Sequence, residues 1–213
     1  MRQSQRFQEP PGLAEEQALL AQGYRFVAGV DEVGRGALAG PVAAAALILP
    51  SRLDETWINQ VRDSKQLNAK KRQFLAQHLE EKALAVGVGI VSHQDIDRKG
   101  IIWATRQAMR LAVAELKPVP DFLLIDALAL PAVKLPQKHI IKGDSLCLSI
   151  ACASIVAKVA RDQLMADLDQ DHPGYSFATN KGYGTAEHLE ALHRLGACPI
   201  HRRSFAPVKE FCP

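Results

Sequence analysis

Three short apolar stretches open the patterned part of the chain. Residues 24–30 run into Asp31-Glu32, residues 42–49 lie between Pro41 and Pro50, and residues 83–91 are rich in Val and Gly. Each has the length and β-branched content of a strand. Between the second and third, residues 68–82 are polar and helix-favouring, with Phe74, Leu75 and Leu79 predicted on one face. Ser92, followed by Asp95 three residues later, reads as a helix start. A helical pattern then runs from 101 to 116 and stops at Pro118.

The alternation continues to the end of the chain. Residues 122–125 form a continuous apolar run into Asp126, and residues 139–141 a shorter one that ends near Gly143-Asp144. Residues 148–168 predict a long helix with Ile150, Ile155, Val159 and Leu164 on its apolar positions. Thr185 is placed to cap a further helix that Gly196 ends. Three early strands followed by strand–helix–strand–helix predict an α/β fold with a mixed sheet. One domain over 24–213 accounts for the pattern, with a small C-terminal helical extension from about 170. Residues 1–23 read as a flexible leader, in which 13–22 could form a short helix.

Composition narrows the class. A 213-residue chain, 47% hydrophobic and 23% charged, has enough apolar material for a sizeable core. Its longest apolar run, 41–50, is about half the ~18 residues a membrane helix needs. Residues 1–11 are polar and hold no apolar signal core, which predicts a cytoplasmic protein. Four cysteines without a CxxC pair read as reduced thiols, with Cys147 and Cys152 packed and no zinc site. Twenty-six Lys and Arg against 23 Asp and Glu leave a net charge of +3, which permits an anionic partner without demanding one.

The candidate chemistry lies where apolar stretches meet carboxylates. Asp31 and Glu32 follow one stretch directly and are succeeded by Gly34-Arg35-Gly36. Taken singly, this is either a tight turn with solvated acids or a carboxylate pair that needs a cation. Asp126 is either a turn former or a ligand group at a strand's carboxyl end. Asp144, in Lys142-Gly143-Asp144-Ser145, is either a helix cap or a further member of the same cluster. Repetition favours the functional readings, because three stretches ending in acids would gather four carboxylates at one edge if the strands are neighbours. Oxygen-only ligands of that kind suit Mg²⁺ or Mn²⁺ and phosphodiester chemistry.

Other polar motifs surround these acids. Ser154, Lys158 and Arg161 fall at helical spacing on an otherwise apolar helix, and Asp162 is expected to pair with Lys158 at i, i+4. Tyr183 stands between Gly182 and Gly184, free to lie against a sugar or base, or is an incidental residue of a surface loop. Lys65, Lys70-Lys71-Arg72 and His201-Arg202-Arg203 are either solvated or set along a phosphate backbone.

Together these strings resemble the type 2 ribonuclease H family, the bacterial ribonucleases HII. The matching segments run in the family's order from about 27 to 209. The resemblance implies a ribonuclease H-like mixed five-stranded sheet flanked by helices. It implies an endonuclease that hydrolyses the RNA strand of RNA–DNA hybrids and incises 5′ of single ribonucleotides in duplex DNA, leaving 3′-OH and 5′-phosphate ends. The family's four metal-binding carboxylates correspond to Asp31, Glu32, Asp126 and Asp144, serving two Mn²⁺ or Mg²⁺ ions in the substrate complex. Gly34, Arg35, Gly36, Lys65 and Tyr183 correspond to substrate-binding positions. Two departures stand out: Ala127, where many relatives carry Gly, and Ala151-Cys152-Ala153 in place of a serine-alanine-alanine stretch. The short leader favours type 2 over the longer type 3 relatives. A monomer is expected. Phe211 notwithstanding, residues 208–213 are a poor match to a clamp-binding peptide.

Overall fold

The computed structural model describes residues 10–52 and 56–211. Its centre is a five-stranded sheet in the order β3-β2-β1-β4-β5. The strands are β1 (Val27–Val33), β2 (Val42–Ile48), β3 (Ala85–Val91), β4 (Phe122–Asp126) and β5 (Gln137–Ile140). The first three form an antiparallel meander, while β4 joins β1 in parallel and β5 joins β4 in parallel. The mixed sheet expected from the sequence is therefore the one observed. Eight helices accompany it: α1 (Ala14–Ala21), α2 (Ala69–Lys82), α3 (His93–Lys99), α4 (Ile101–Ala114), α5 (Gly143–Leu146), α6 (Leu148–Asp171), α7 (Phe177–Asn180) and α8 (Ala186–Leu195).

Two cores sandwich the sheet, as the two side-chain directions of each strand require. Ala28 and Val30 of β1 meet Ala104, Ala108 and Ala112 of α4 on one face. Ala45 and Leu47 of β2 meet Ala151, Ile155 and Leu75, from α6 and α2, on the other. Small residues set the distance of approach. A Cβ on Gly29 would lie 2.2 Å from the backbone of Ser149, and one on Gly89 would lie 2.0 Å from the carbonyl of Ala108. Larger residues there would force α6 and α4 off the sheet.

Local signals account for most element starts. The side chains of Asn68, Ser92 and Thr185 accept from the backbone amides of Lys71, Asp95 and His188, capping α2, α3 and α8. Gly100, at φ +82°, separates α3 from α4, and Gly196, at φ +73°, ends α8.

Four expectations are revised. β1 runs three residues beyond the apolar stretch, because Asp31, Glu32 and Val33 pair with Ala45, Ala44 and Ala43 of β2; ladder hydrogen bonds outweigh polarity. β5 is a polar edge strand, shifted towards Gln137 and mostly outside the core. Phe74 faces outward, 42% exposed, while Leu75 and Leu79 are buried. Residues 11–23, expected within a flexible leader, include helix α1, which packs on β1. Buried Glu16 accepts from the amide of Ser149 at 2.8 Å and from the Cys147 thiol at 3.1 Å. Burial pushes that thiol up to about 12, so it is protonated. The first nine residues of that leader lie outside the described residues.

Beyond residue 170 the chain forms α7 and α8, then returns through residues 201–205 to the loop between β1 and β2. No helix among the described residues is long and apolar enough to cross a membrane.

Candidate active site

Asp31 and Asp126 are brought together by the parallel pairing of β1 with β4, in which Val30 stands opposite Ile125. The next residue on each strand is a carboxylate at the strand's carboxyl end. Oxygens of Asp31, Glu32 and Asp126 all lie within 4.8 Å of one another. Their immediate hydrogen bonds satisfy only part of this set. Asp31 Oδ1 accepts from the Glu32 amide at 2.7 Å, and Asp126 Oδ1 from the Gly143 amide at 2.7 Å. Glu32 Oε1 accepts from Arg35 at 3.0 Å, while its Oε2 is buried without a hydrogen-bond partner. A buried carboxylate oxygen left unpartnered beside two further carboxylates is a costly arrangement in the absence of a cation.

The electrostatics agree. Burial, reinforced by the charges of Glu32 and Asp126, holds Asp31 well above the usual carboxylate range. Burial also raises Glu32, although Arg35 works against it. Asp126 is raised by burial, opposed by the Gly143 amide and assisted by Asp144. A hard divalent cation relieves all three at once, and the donor set of carboxylate oxygens fits Mg²⁺ or Mn²⁺.

Asp144 stands outside this trio. It occupies α5 rather than a strand end, after Lys142 at φ +58°. Lys65 Nζ donates to its Oδ2 at 3.0 Å. Burial opposes the charge on Lys65, but Asp144, Asp63 and Asp31 outweigh it and raise its pKa. Lys65 itself is positioned by a single 3₁₀ turn, Ser64–Gln66, whose cap is Asp63.

An open cavity of about 430 Å³ lies over the trio. Asp31, Glu32, Asp126, Gly34, Arg35, Gly36, Lys65 and Tyr183 all line it, together with Ser64, Ser154 and Lys158. Gly36 faces open space, whereas a Cβ on Gly34 would lie 2.1 Å from the Arg161 side chain. The loop can thus present bare backbone to a ligand on one side while resting on Arg161 on the other.

Two buried arginines shape this loop, and their role was hidden in the sequence. Arg161 donates to the carbonyls of Pro41, Ala39 and Lys181 at 2.9, 3.3 and 2.8 Å. Arg202 donates to Gly40, Arg35 and Pro41 at 3.0, 2.9 and 3.1 Å. Burial, with Arg161 nearby, pulls Arg202 down to about 9. Arg202 is therefore a brace for the loop and not an exposed phosphate contact. Arg161 also lies 5.5 Å from the Tyr183 ring centroid, so it supports both loops that flank the acids. Asp162 pairs with Lys158 at 2.5 Å, as its spacing predicts, and faces Arg72 at 3.7 Å.

Residues 28–208 match the family model described as Ribonuclease HII. The chain is 55% identical to the ribonuclease HII of Dehalococcoides mccartyi over 199 residues, 93% of this chain and 94% of that one. It belongs to the ribonuclease HII family. A ribonuclease HII of Desulfitobacterium hafniense is 54% identical, covering 93% of this chain and 75% of the relative. Among solved structures, the ribonuclease H2 of Pyrococcus horikoshii superimposes with a TM-score of 0.72 at 25% identity, covering 88% of this chain and 97% of that one. A Bst ribonuclease HIII solved in complex with Mn²⁺ shares the fold, with a TM-score of 0.61 at 20% identity, covering 87% of this chain and 68% of that one. The chain is a ribonuclease H, an endonuclease, and its five-stranded sheet with flanking helices is the fold of these relatives. Ribonucleases HII cleave RNA in RNA–DNA hybrids and use divalent metal ions.

The family's frequent Gly after the third carboxylate has a physical reason here. Ala127 adopts φ +53°, a left-handed conformation that glycine takes without steric cost.

Proposed function

We propose that the protein hydrolyses the RNA strand of RNA–DNA hybrids and incises duplex DNA on the 5′ side of a single embedded ribonucleotide, leaving 3′-OH and 5′-phosphate ends. The observation that carries this reading is the Asp31–Glu32–Asp126 trio, with its orphaned Glu32 Oε2, in one cavity with Gly34–Gly36 and Tyr183. When bound, two Mg²⁺ or Mn²⁺ ions supply Lewis acidity that activates a water and stabilises the leaving 3′-oxygen.

Asp31, Glu32 and Asp126 would hold these ions, and Asp144, released from Lys65, would complete the set. The open backbone of Gly34–Gly36 reaches the ribose 2′-OH and the neighbouring phosphate, since that hydroxyl is what separates RNA from DNA. Tyr183 lies on the sugar side of the ribonucleotide. Lys65, displaced from Asp144, meets a backbone phosphate. Arg35 neutralises Glu32 until substrate and ions arrive.

The test is a labelled RNA–DNA hybrid incubated with purified protein and Mg²⁺ or Mn²⁺. Fragmentation of the RNA strand alone, abolished by chelator and by Asp31→Asn, is expected. Intact RNA under both metals, or cleavage that survives Asp31→Asn, contradicts the proposal.

A further inference from the structure

His188 on α8 and His201 in the returning segment are both fully buried, and neither touches the carboxylates. Their ring nitrogens Nε2 lie 3.1 Å apart. The outer nitrogens have partners that fix the protons. The Cys198 backbone amide donates to His201 Nδ1 at 3.0 Å. An amide can only donate, so His201 Nδ1 is bare and its proton sits on Nε2. That Nε2–H donates to His188 Nε2, which leaves the His188 proton on Nδ1. His188 Nδ1–H donates to the carbonyl of Tyr183 at 2.9 Å, and a carbonyl can only accept. One directional chain of hydrogen bonds therefore runs from Cys198 through two neutral imidazoles to Tyr183.

The chain ends at a backbone that has little stiffness of its own. Gly182 and Gly184 flank Tyr183, and Gly182 sits at φ +78°. The Tyr183 carbonyl also accepts from the Thr185 amide at 2.8 Å, the residue that caps α8. With the peptide held at that point and Arg161 beside the ring, the direction of the Tyr183 side chain is set. The other end of the chain leads to the glycine loop. His201 bridges to Ala39, and the next residue, Arg202, holds the carbonyl of Arg35. One tether joins the two loops placed to sense a ribonucleotide.

We infer that His188 and His201 are positioning residues for Tyr183: their neutral imidazole relay orients the tyrosine against the ribonucleotide and couples it to the Gly34–Gly36 loop. This rests on the endonuclease reading above. Misplacing a contact by about 1 Å costs up to ~10²-fold in rate, so the relay's contribution is measurable.

A double-mutant cycle on duplex DNA carrying one ribonucleotide tests it. His188→Ala is expected to lower kcat/KM by about tenfold, and to add less than about twofold to the loss in Tyr183→Ala, because it acts through that residue. His201→Leu should follow His188→Ala, and His201→Gln, which restores an amide donor towards His188, should recover most of the loss. If His188→Ala does not fold, the His201 pair carries the cycle. Nitrogen-15 NMR of the imidazoles needs no activity, and should show Nε2–H on His201 and Nδ1–H on His188 at neutral pH. Additive losses in an active enzyme, or the opposite tautomers, overturn the relay alone. A wild-type protein that cleaves neither substrate overturns the endonuclease reading and, with it, the role given to the relay.

Discussion

Lys65 Nζ lies 3.0 Å from Asp144 Oδ2 and holds that carboxylate apart from the trio of Asp31, Glu32 and Asp126. The lysine and an arriving cation compete for the same oxygen. Lys65→Met should lower the Mn²⁺ concentration for half-maximal cleavage by about twofold to fivefold, the range of an exposed ion pair. The same variant should raise KM for substrate, since a phosphate contact is lost. Titration of activity against Mn²⁺ at fixed substrate reads both, and an unchanged or higher metal requirement counts against the competition.

The trio repels itself without metal, so cation binding should stabilise the fold. Mg²⁺ or Mn²⁺ is expected to raise the melting temperature of the wild type. Asp31→Asn should melt higher than the metal-free wild type, by about 2–4 °C per kcal/mol relieved, and respond weakly to metal. Thermal scans of both proteins with and without metal decide the point. A destabilised Asp31→Asn that still gains fully from metal would contradict the shared site.

His201 adds a pH dependence of known sign. Burial, with His188 beside it, lowers its pKa from 6.5 to about 4. Between those values the unfolded chain binds the extra proton and the folded chain does not, so stability falls as pH drops from 6.5 towards 4. The slope from one such group is at most about 1.4 kcal/mol per pH unit. Denaturant midpoints across this window should fall for the wild type, and by less for His201→Gln.

Ala127 supplies a stabilising substitution. At φ +53° it carries a left-handed backbone cost that glycine avoids. Part of the gain is offset by the greater freedom of glycine in the unfolded chain. Ala127→Gly should add about 0.5–1 kcal/mol in urea unfolding, and a loss of stability would show that the strain is not there.

Local chemistry made much of this legible in advance. The caps Asn68, Ser92 and Thr185 and the glycine stops are readable because each acts within a few residues of itself. Asp31 and Asp126 were readable because continuous apolar runs end in them. The pairing of Lys65 with Asp144 spans 79 positions and leaves no local trace. Arg161 looked like one residue of a polar stripe and Arg202 like part of a basic cluster, yet both are buried against backbone carbonyls. A motif scan shows charge but not which carbonyls lack donors. His188 and His201 were invisible for the same reason, since their meaning lies in a chain of four hydrogen-bonding groups assembled from three separate segments. The modest net charge of +3 likewise hides a carboxylate site surrounded by cations.

The central claim is metal-dependent incision at a ribonucleotide, and the ends of the product test it most directly. A duplex DNA with one ribonucleotide is incubated with the protein and Mn²⁺ or Mg²⁺, and the nicked strand is examined by end-group analysis. A single nick on the 5′ side of the ribonucleotide, with a 3′-OH and a 5′-phosphate, is the predicted result. An uncut strand, or a nick that leaves a 3′-phosphate, would contradict the account.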